Sequence, residues 1–175
     1  MPLDSEKRVT NNQRIVGALP TIKHAIDHGA KCLVLMSHLG RPDGKRNEKY
    51  SLKPVVPELE KLLGKKIVFC NDCIGKEVED IVNSASGGQV ILLENLRFHP
   101  EEEGSYKDAD GKKVKADKEK ISSFREGLTA LGDVYISEFA LQRILEFSFK
   151  SLVSYVGCTT LTGFRRCFWD GPPRP

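Results

Sequence analysis

Two kinds of apolar pattern alternate along this chain. Short unbroken runs, such as Cys32-Leu33-Val34-Leu35, Ile67-Val68-Phe69-Cys70 and Val90-Ile91-Leu92-Leu93, alternate with stretches in which apolar residues recur every three or four positions. The unbroken runs predict strands over 31–36, 66–70 and 89–93 that are covered on both faces. The spaced stretches predict helices with one buried face. Ile15, Ala18, Leu19, Ile22, Ala25 and Ile26 mark the first. Thr10 and Gln13 form a T-x-x-Q capping box before it, Pro20 predicts a kink or one lost backbone bond, and Gly29 falls at the C′ position. A second helix begins at Tyr50-Ser51, with Ser51 as cap, buries Val55, Val56, Leu59, Leu62 and Leu63, and ends at Gly64. Val78, Ile81 and Val82 mark a short helix over 77–83, and 84–88 reads as a turn. Asp117 caps a further helix that buries Ile121, Phe124, Leu128 and Leu131 and stops at Gly132, before a strand over 133–136. Strands alternating with amphipathic helices predict an α/β fold, a parallel sheet covered on both faces.

Beyond residue 136 the logic weakens. Leu141, Ile144, Leu145, Phe149, Leu152 and Val156 give 140–156 some amphipathic character, so part of it is expected to be helical. The division expected is therefore a folded unit over 1–136 and a divergent tail over 137–175, poorly ordered or partly helical. There is no internal repeat and no low-complexity tract.

Charge changes the picture little. The 175 residues carry 27 Lys and Arg against 24 Asp and Glu, too even a balance to imply a nucleic-acid or membrane partner. No stretch approaches the roughly 18 apolar residues of a membrane span, and the polar start does not read as a secretory signal. The region 99–116 reads as a charged loop, with Glu101, Glu102, Glu103, Lys112, Lys113 and Lys115 solvated. The five cysteines fit buried, reduced thiols of a cytoplasmic protein. Cys70 and Cys73 have C-x-x-C spacing, but a zinc site wants a second pair or histidines at suitable spacing. None is seen, so no metal site is expected, and His24, His28 and His99 read as surface residues.

The chemistry concentrates in a few segments. Met36-Ser37-His38-Leu39-Gly40-Arg41-Pro42-Asp43-Gly44 follows the first strand, and in open α/β sheets the carboxyl ends of strands are where ligands bind. Glycine lets backbone approach a ligand, and Arg pairs bidentately with carboxylate or phosphate; a tight surface turn with Arg41 solvated is the plain alternative. Asn11-Asn12-Gln13-Arg14-Ile15 opens the first helix. Glu94-Asn95-Leu96-Arg97-Phe98-His99 ends the third strand, and Glu101-Glu102-Glu103-Gly104 follows.

In this order and spacing, from about residue 2 to 136, these segments resemble phosphoglycerate kinase, specifically its amino-terminal, 3-phosphoglycerate-binding domain. The resemblance implies a three-layer α/β/α, Rossmann-like parallel sheet. It implies phosphoryl transfer between ATP and 3-phosphoglycerate in glycolysis, with Mg-ATP or Mg-ADP held by a second domain, and a monomer. Residue by residue, it implies that Arg14, Ser37, His38, Gly40, Arg41, Leu96 (through its backbone) and Arg97 hold the acidic substrate, here 3-phosphoglycerate bound weakly if at all. It carries over no catalytic residue and no nucleotide site, since no G-x-x-x-x-G-K-[ST] or G-x-G-x-x-G occurs. The family's first, central strand is expected to be absent, leaving the sheet incomplete between the strands over 31–36 and 133–136. The expectation is a fragment, truncated at both ends and inactive alone. The alternative is a non-enzymatic α/β anion-binding or interaction fragment.

Overall fold

The first strand, β1 (Cys32–Met36), is buried along its whole length, as an unbroken apolar run requires. In the computed structural model, residues 9, 11–107, 111–137 and 153–157 are described. β1 pairs in parallel with β3 (Gln89–Leu92), Leu33 opposite Val90 and Leu35 opposite Leu92. β3 pairs in parallel with β2 (Ile67–Phe69). Alternation along the strands then splits the core in two. Leu33, Leu35, Val90 and Leu92 face Ile15, Ile22 and Leu59, from α1 (Gln13–Asp27) and α2 (Val56–Leu63). Cys32, Val34, Met36 and Ile91 face Val78, Val82 and Phe124, from α3 (Lys76–Ser84) and α5 (Lys118–Thr129). A helical layer on each face of these three parallel strands is the three-layer α/β/α fold expected.

The helix ends follow local chemistry, with small departures from expectation. Thr10 lies outside the described residues. The start of α1 is capped from Asn11, whose Oδ1 accepts from the Gln13 amide at 2.9 Å. Pro20 sits inside α1 without ending it; its ring lies on the exposed face. Gly29, at φ +84°, closes α1 with two bonds, Gly29 N–H to the Ile26 carbonyl and Ala30 N–H to that of Ala25. That pair is the Schellman arrangement, which needs a left-handed residue. Two 3₁₀ turns precede α2, so the regular helix starts later than Tyr50-Ser51. Asp117 caps α5 as expected, accepting from the Glu119 amide at 3.0 Å.

Two regions depart further. The expected charged loop contains a short helix, α4 (Pro100–Glu103), and a hairpin of β4 (Ser105–Lys107) with β5 (Lys113–Lys115). Alternating Lys-Val-Lys opposite Ser-Tyr-Lys suits a two-stranded ribbon better than a solvated coil. Second, residues 153–157 are strand, not helix. β7 (Val153–Gly157) lies between β1 and β6 (Val134–Ser137), antiparallel to both, giving the order β2-β3-β1-β7-β6. Val-Ser-Tyr-Val is rich in strand-favouring residues. Two flanking strands with unpaired backbone groups offer it a full set of partners. The interior position expected to be vacant is thus occupied. The rest of the tail, 138–152 and 158–175, lies outside the described residues.

Candidate functional site

Where β1 and β3 end side by side, their following loops are tied together by backbone and side-chain bonds. Leu96 N–H donates to the Ser37 carbonyl at 3.1 Å. Asn95, 0 % exposed, donates from Nδ2 to the carbonyls of Leu39 at 2.7 Å and Tyr50 at 2.8 Å. Its Oδ1 accepts from the Arg97 amide at 3.0 Å. Arg97 Nη1 donates to the Gly40 carbonyl at 2.7 Å. The 95–97 and 37–40 segments therefore form one rim at the carboxyl end of the sheet.

Glu94 anchors this rim from beneath. Its carboxylate is buried and accepts from Ser51 Oγ at 2.7 Å and from the amides of Leu52 and Asn95, each at 2.8 Å. Arg46 Nη2 lies 4.0 Å away. Arg46, Lys53, Asn71, Phe69 and Phe98 line a cleft of about 460 Å³ alongside. Sequence reading singled out neither Glu94 nor Asn95 as a positioning residue. The signal was available: two polar residues directly following an apolar strand, where burial demands partners.

The turn after β1 is sharply folded. Gly40 has φ +64°, Asp43 φ +54° and Gly44 φ +71°. At Gly40 a Cβ would enter the ring of Tyr50, so glycine is required both by conformation and by space.

The expected site residues fall into three groups. Ser37, Gly40, Leu96 and Arg97 meet on the rim. His38 is half-buried and Arg41 exposed, both on the same loop. Arg14 sits in the first turn of α1, half-buried, and burial lowers its guanidinium pKa from the ordinary value. Its tie to the rim is through the core: Ile15 belongs to the cluster against which Leu39 packs.

Two of these residues also have structural duties. Leu96 has both backbone groups engaged, its N–H with Ser37 and its carbonyl with the His99 amide at 3.1 Å, so its backbone joins the loops. Arg97 is only 7 % exposed and clamps the Gly40 loop. Glu103, expected to be solvated, lies 3.4 Å from Arg97 Nη2. Arg97 Nε is buried and has no hydrogen-bond partner among the described residues. A buried guanidinium with one donor unmet is a costly arrangement unless an acceptor arrives. The donors at this rim are arginine and histidine, a set suited to an anion rather than to magnesium.

Comparison with known proteins identifies the family. A family model described as Phosphoglycerate kinase matches residues 1–157, extending past residue 136. The chain is 75 % identical over 138 residues to a phosphoglycerate kinase of Aspergillus flavus, and 72 % identical over 138 residues to one of Neurospora crassa. Each match covers 79 % of this chain and 33 % of the relative, so the chain spans about a third of the length of these curated relatives. The crystal structure of phosphoglycerate kinase from Pyrococcus horikoshii matches with a TM-score of 0.51 and 30 % identity, over 58 % of this chain and 24 % of that one. With the family model spanning most of its length, the chain belongs to the phosphoglycerate kinase family.

Proposed function

We propose that this chain forms the acid-binding part of a phosphoglycerate kinase and that its rim holds 3-phosphoglycerate. The observation that carries this reading is the Arg97–Gly40 clamp, which with the Asn95 and Leu96 bonds joins two ligand-type loops at the ends of adjacent parallel strands. Family membership supports the substrate class. Arg41 and Arg14 supply guanidinium groups, His38 an imidazole, Ser37 a hydroxyl, and Gly40 a backbone able to approach the ligand. The unmet Nε of Arg97 supplies a buried donor for one ligand oxygen. Glu103 covers one edge of that guanidinium, so an anion entering there competes with it.

Phosphoryl transfer depends on positioning and charge stabilisation from both substrates. The Mg-nucleotide is the second substrate the family implies, and no step is assigned to it on this rim. We therefore propose that the isolated 175-residue chain binds 3-phosphoglycerate weakly and does not turn over. The setting proposed is cytoplasmic: Cys32, Cys70 and Cys73 are buried and in no disulfide, and no helix among the described residues is long and apolar enough to cross a membrane. Titration calorimetry with 3-phosphoglycerate tests the binding. Saturable heat that Arg41→Ala and Arg14→Ala each abolish is expected; absence of heat, or heat unchanged in both variants, refutes it. A coupled ATP-consumption assay tests the second part, and turnover above a mock preparation refutes it.

A further inference from the structure

Next to the rim, on side chains not assigned to the substrate, three different metal-ligating groups converge. Asp72 and Cys73 are neighbours on the loop after β2, and His99 precedes α4. Their ligand atoms, a carboxylate oxygen, a thiol sulfur and an imidazole nitrogen, all lie within 4.8 Å of one another. Ligand atoms around a tetrahedral zinc ion sit roughly 3.2–3.8 Å apart, as bond lengths near 2.0–2.3 Å require. The observed spread is within a small side-chain adjustment of that.

We propose that Asp72, Cys73 and His99 form a binding site for a thiophilic divalent cation, zinc being the fitting one. Cys, His and carboxylate are zinc's ligand types, and three protein ligands leave a fourth position for water. Its charge balances: a dication meets one thiolate, one carboxylate and a neutral imidazole. On binding, the Cys73 thiol proton leaves to solvent and the His99 ring carries its proton on Nδ1, freeing Nε2 for the metal.

Two further observations support the assignment. His99 Nε2 lies 2.6 Å from Asp72 Oδ1, a hydrogen bond the metal would replace, so two ligands face each other before any ion arrives. The His99 ring lies against Phe124, centroids 5.0 Å apart, which limits its rotation. The sequence hid the site: 26 positions separate Cys73 from His99, and only the fold brings them together. Cys73 Sγ now donates to the Glu94 carbonyl at 3.0 Å, a bond the metal would replace.

Cobalt(II) titration of the full chain under reducing conditions is the test. A thiolate-to-cobalt charge-transfer band with tetrahedral d–d absorption, saturating at one equivalent and displaced by zinc, is expected. Cys73→Ser should abolish the charge-transfer band, and His99→Gln should weaken cobalt binding by roughly tenfold or more. The exposed His24–His28 pair at the end of α1 is a competing site, but it has no thiol and gives no such band. A band that survives Cys73→Ser, or cobalt affinity unchanged in His99→Gln, overturns the proposal, as does the absence of a band in the unsubstituted chain. Circular dichroism of each variant confirms folding. If either variant fails to fold, Asp72→Asn, at an exposed position, serves instead: weakened affinity supports the site and unchanged affinity overturns it.

Discussion

Replacing Asn95 should show whether the rim is held by directed hydrogen bonds or merely by close packing. Its side chain is fully buried, donates to two carbonyls from separate loops and accepts one amide. Asn95→Ala removes all three bonds and leaves buried groups behind. A buried donor or acceptor left unmet costs about 1–3 kcal/mol. Water reaching the second lone pair of each carbonyl softens this, so a total of about 3–5 kcal/mol is expected. That is a large share of the roughly 5–15 kcal/mol by which domains are stable. With a urea m-value of about 2 kcal/mol/M, the midpoint should fall by about 2 M. Asn95→Asp is the sharper variant. It keeps the shape and still accepts from Arg97, but it aims a carboxylate oxygen at two carbonyl oxygens. At neutral pH it should cost at least as much as Ala. The introduced carboxyl is less easily ionised in the fold than in the unfolded chain. Its penalty therefore shrinks as pH falls through its raised folded value, because the protonated form donates one of the two lost bonds. Urea melts of both variants at pH 7 and near pH 4 make the comparison. If Asn95→Asp proves milder than Asn95→Ala at neutral pH, the side chain is only filling space and the hydrogen-bond argument fails.

Other outcomes follow from the same geometry. Gly40→Ala should destabilise by more than about 1 kcal/mol, since it combines a left-handed backbone with a collision at Tyr50; an unchanged urea midpoint would show that the turn relaxes freely. Glu103→Gln should tighten 3-phosphoglycerate binding by several-fold, because it weakens the competitor for Arg97, and calorimetry showing equal or weaker affinity would contradict the assigned competition. Burial raises the Cys70 thiol from 9.0 to about 11, with Glu77 adding to it. An acid whose folded pKa is raised releases its proton first in the unfolded chain, so stability should decline as pH rises between about 9 and 11 and level off above. Melts across that range, compared with Cys70→Ala, read the contribution. Removing residues 138–175 should abolish cooperative melting, since β7 pairs with five residues of β1 and four of β6; a sharp transition in the shortened chain would show that β1 and β6 close on each other instead.

The fold was legible where burial follows periodicity. β1 and β3 are covered on both faces, so their sequences are continuous apolar runs, and the helices over them must show one stripe each. The two core clusters divide along the alternation of Leu33 and Leu35 from Cys32, Val34 and Met36, which any reading of β1 as a strand contains. The strand at 153–157 was not legible for the opposite reason. Its place is defined by the strands on either side, β1 and β6, which lie far from it in sequence, and its own pattern fits a helix nearly as well. Local spacing has no information about which backbone groups elsewhere lack partners.

The site divides in the same way, and the division says what kind of residue sequence reading finds. Gly40 and Arg41 stood out because their types suit anion binding on a strand-end loop, and Arg97 through the resemblance of its segment to the family's. What the residue type does not reveal is the direction of use. Arg97 has five N–H donors, and the fold directs Nη1 inward to Gly40 and sets Nη2 beside Glu103. A residue that looks like a ligand group is therefore also a strut, and its substitution would disturb the loop and the ligand together. Arg41, exposed on the Gly40 loop, has no such clamp among the described residues. The two arginines should thus separate in experiment: loss of Arg41 weakens anion binding with the urea midpoint preserved, whereas loss of Arg97 lowers both. Equal loss of stability in the two would mean that the clamp between Arg97 and Gly40 contributes nothing to holding the rim.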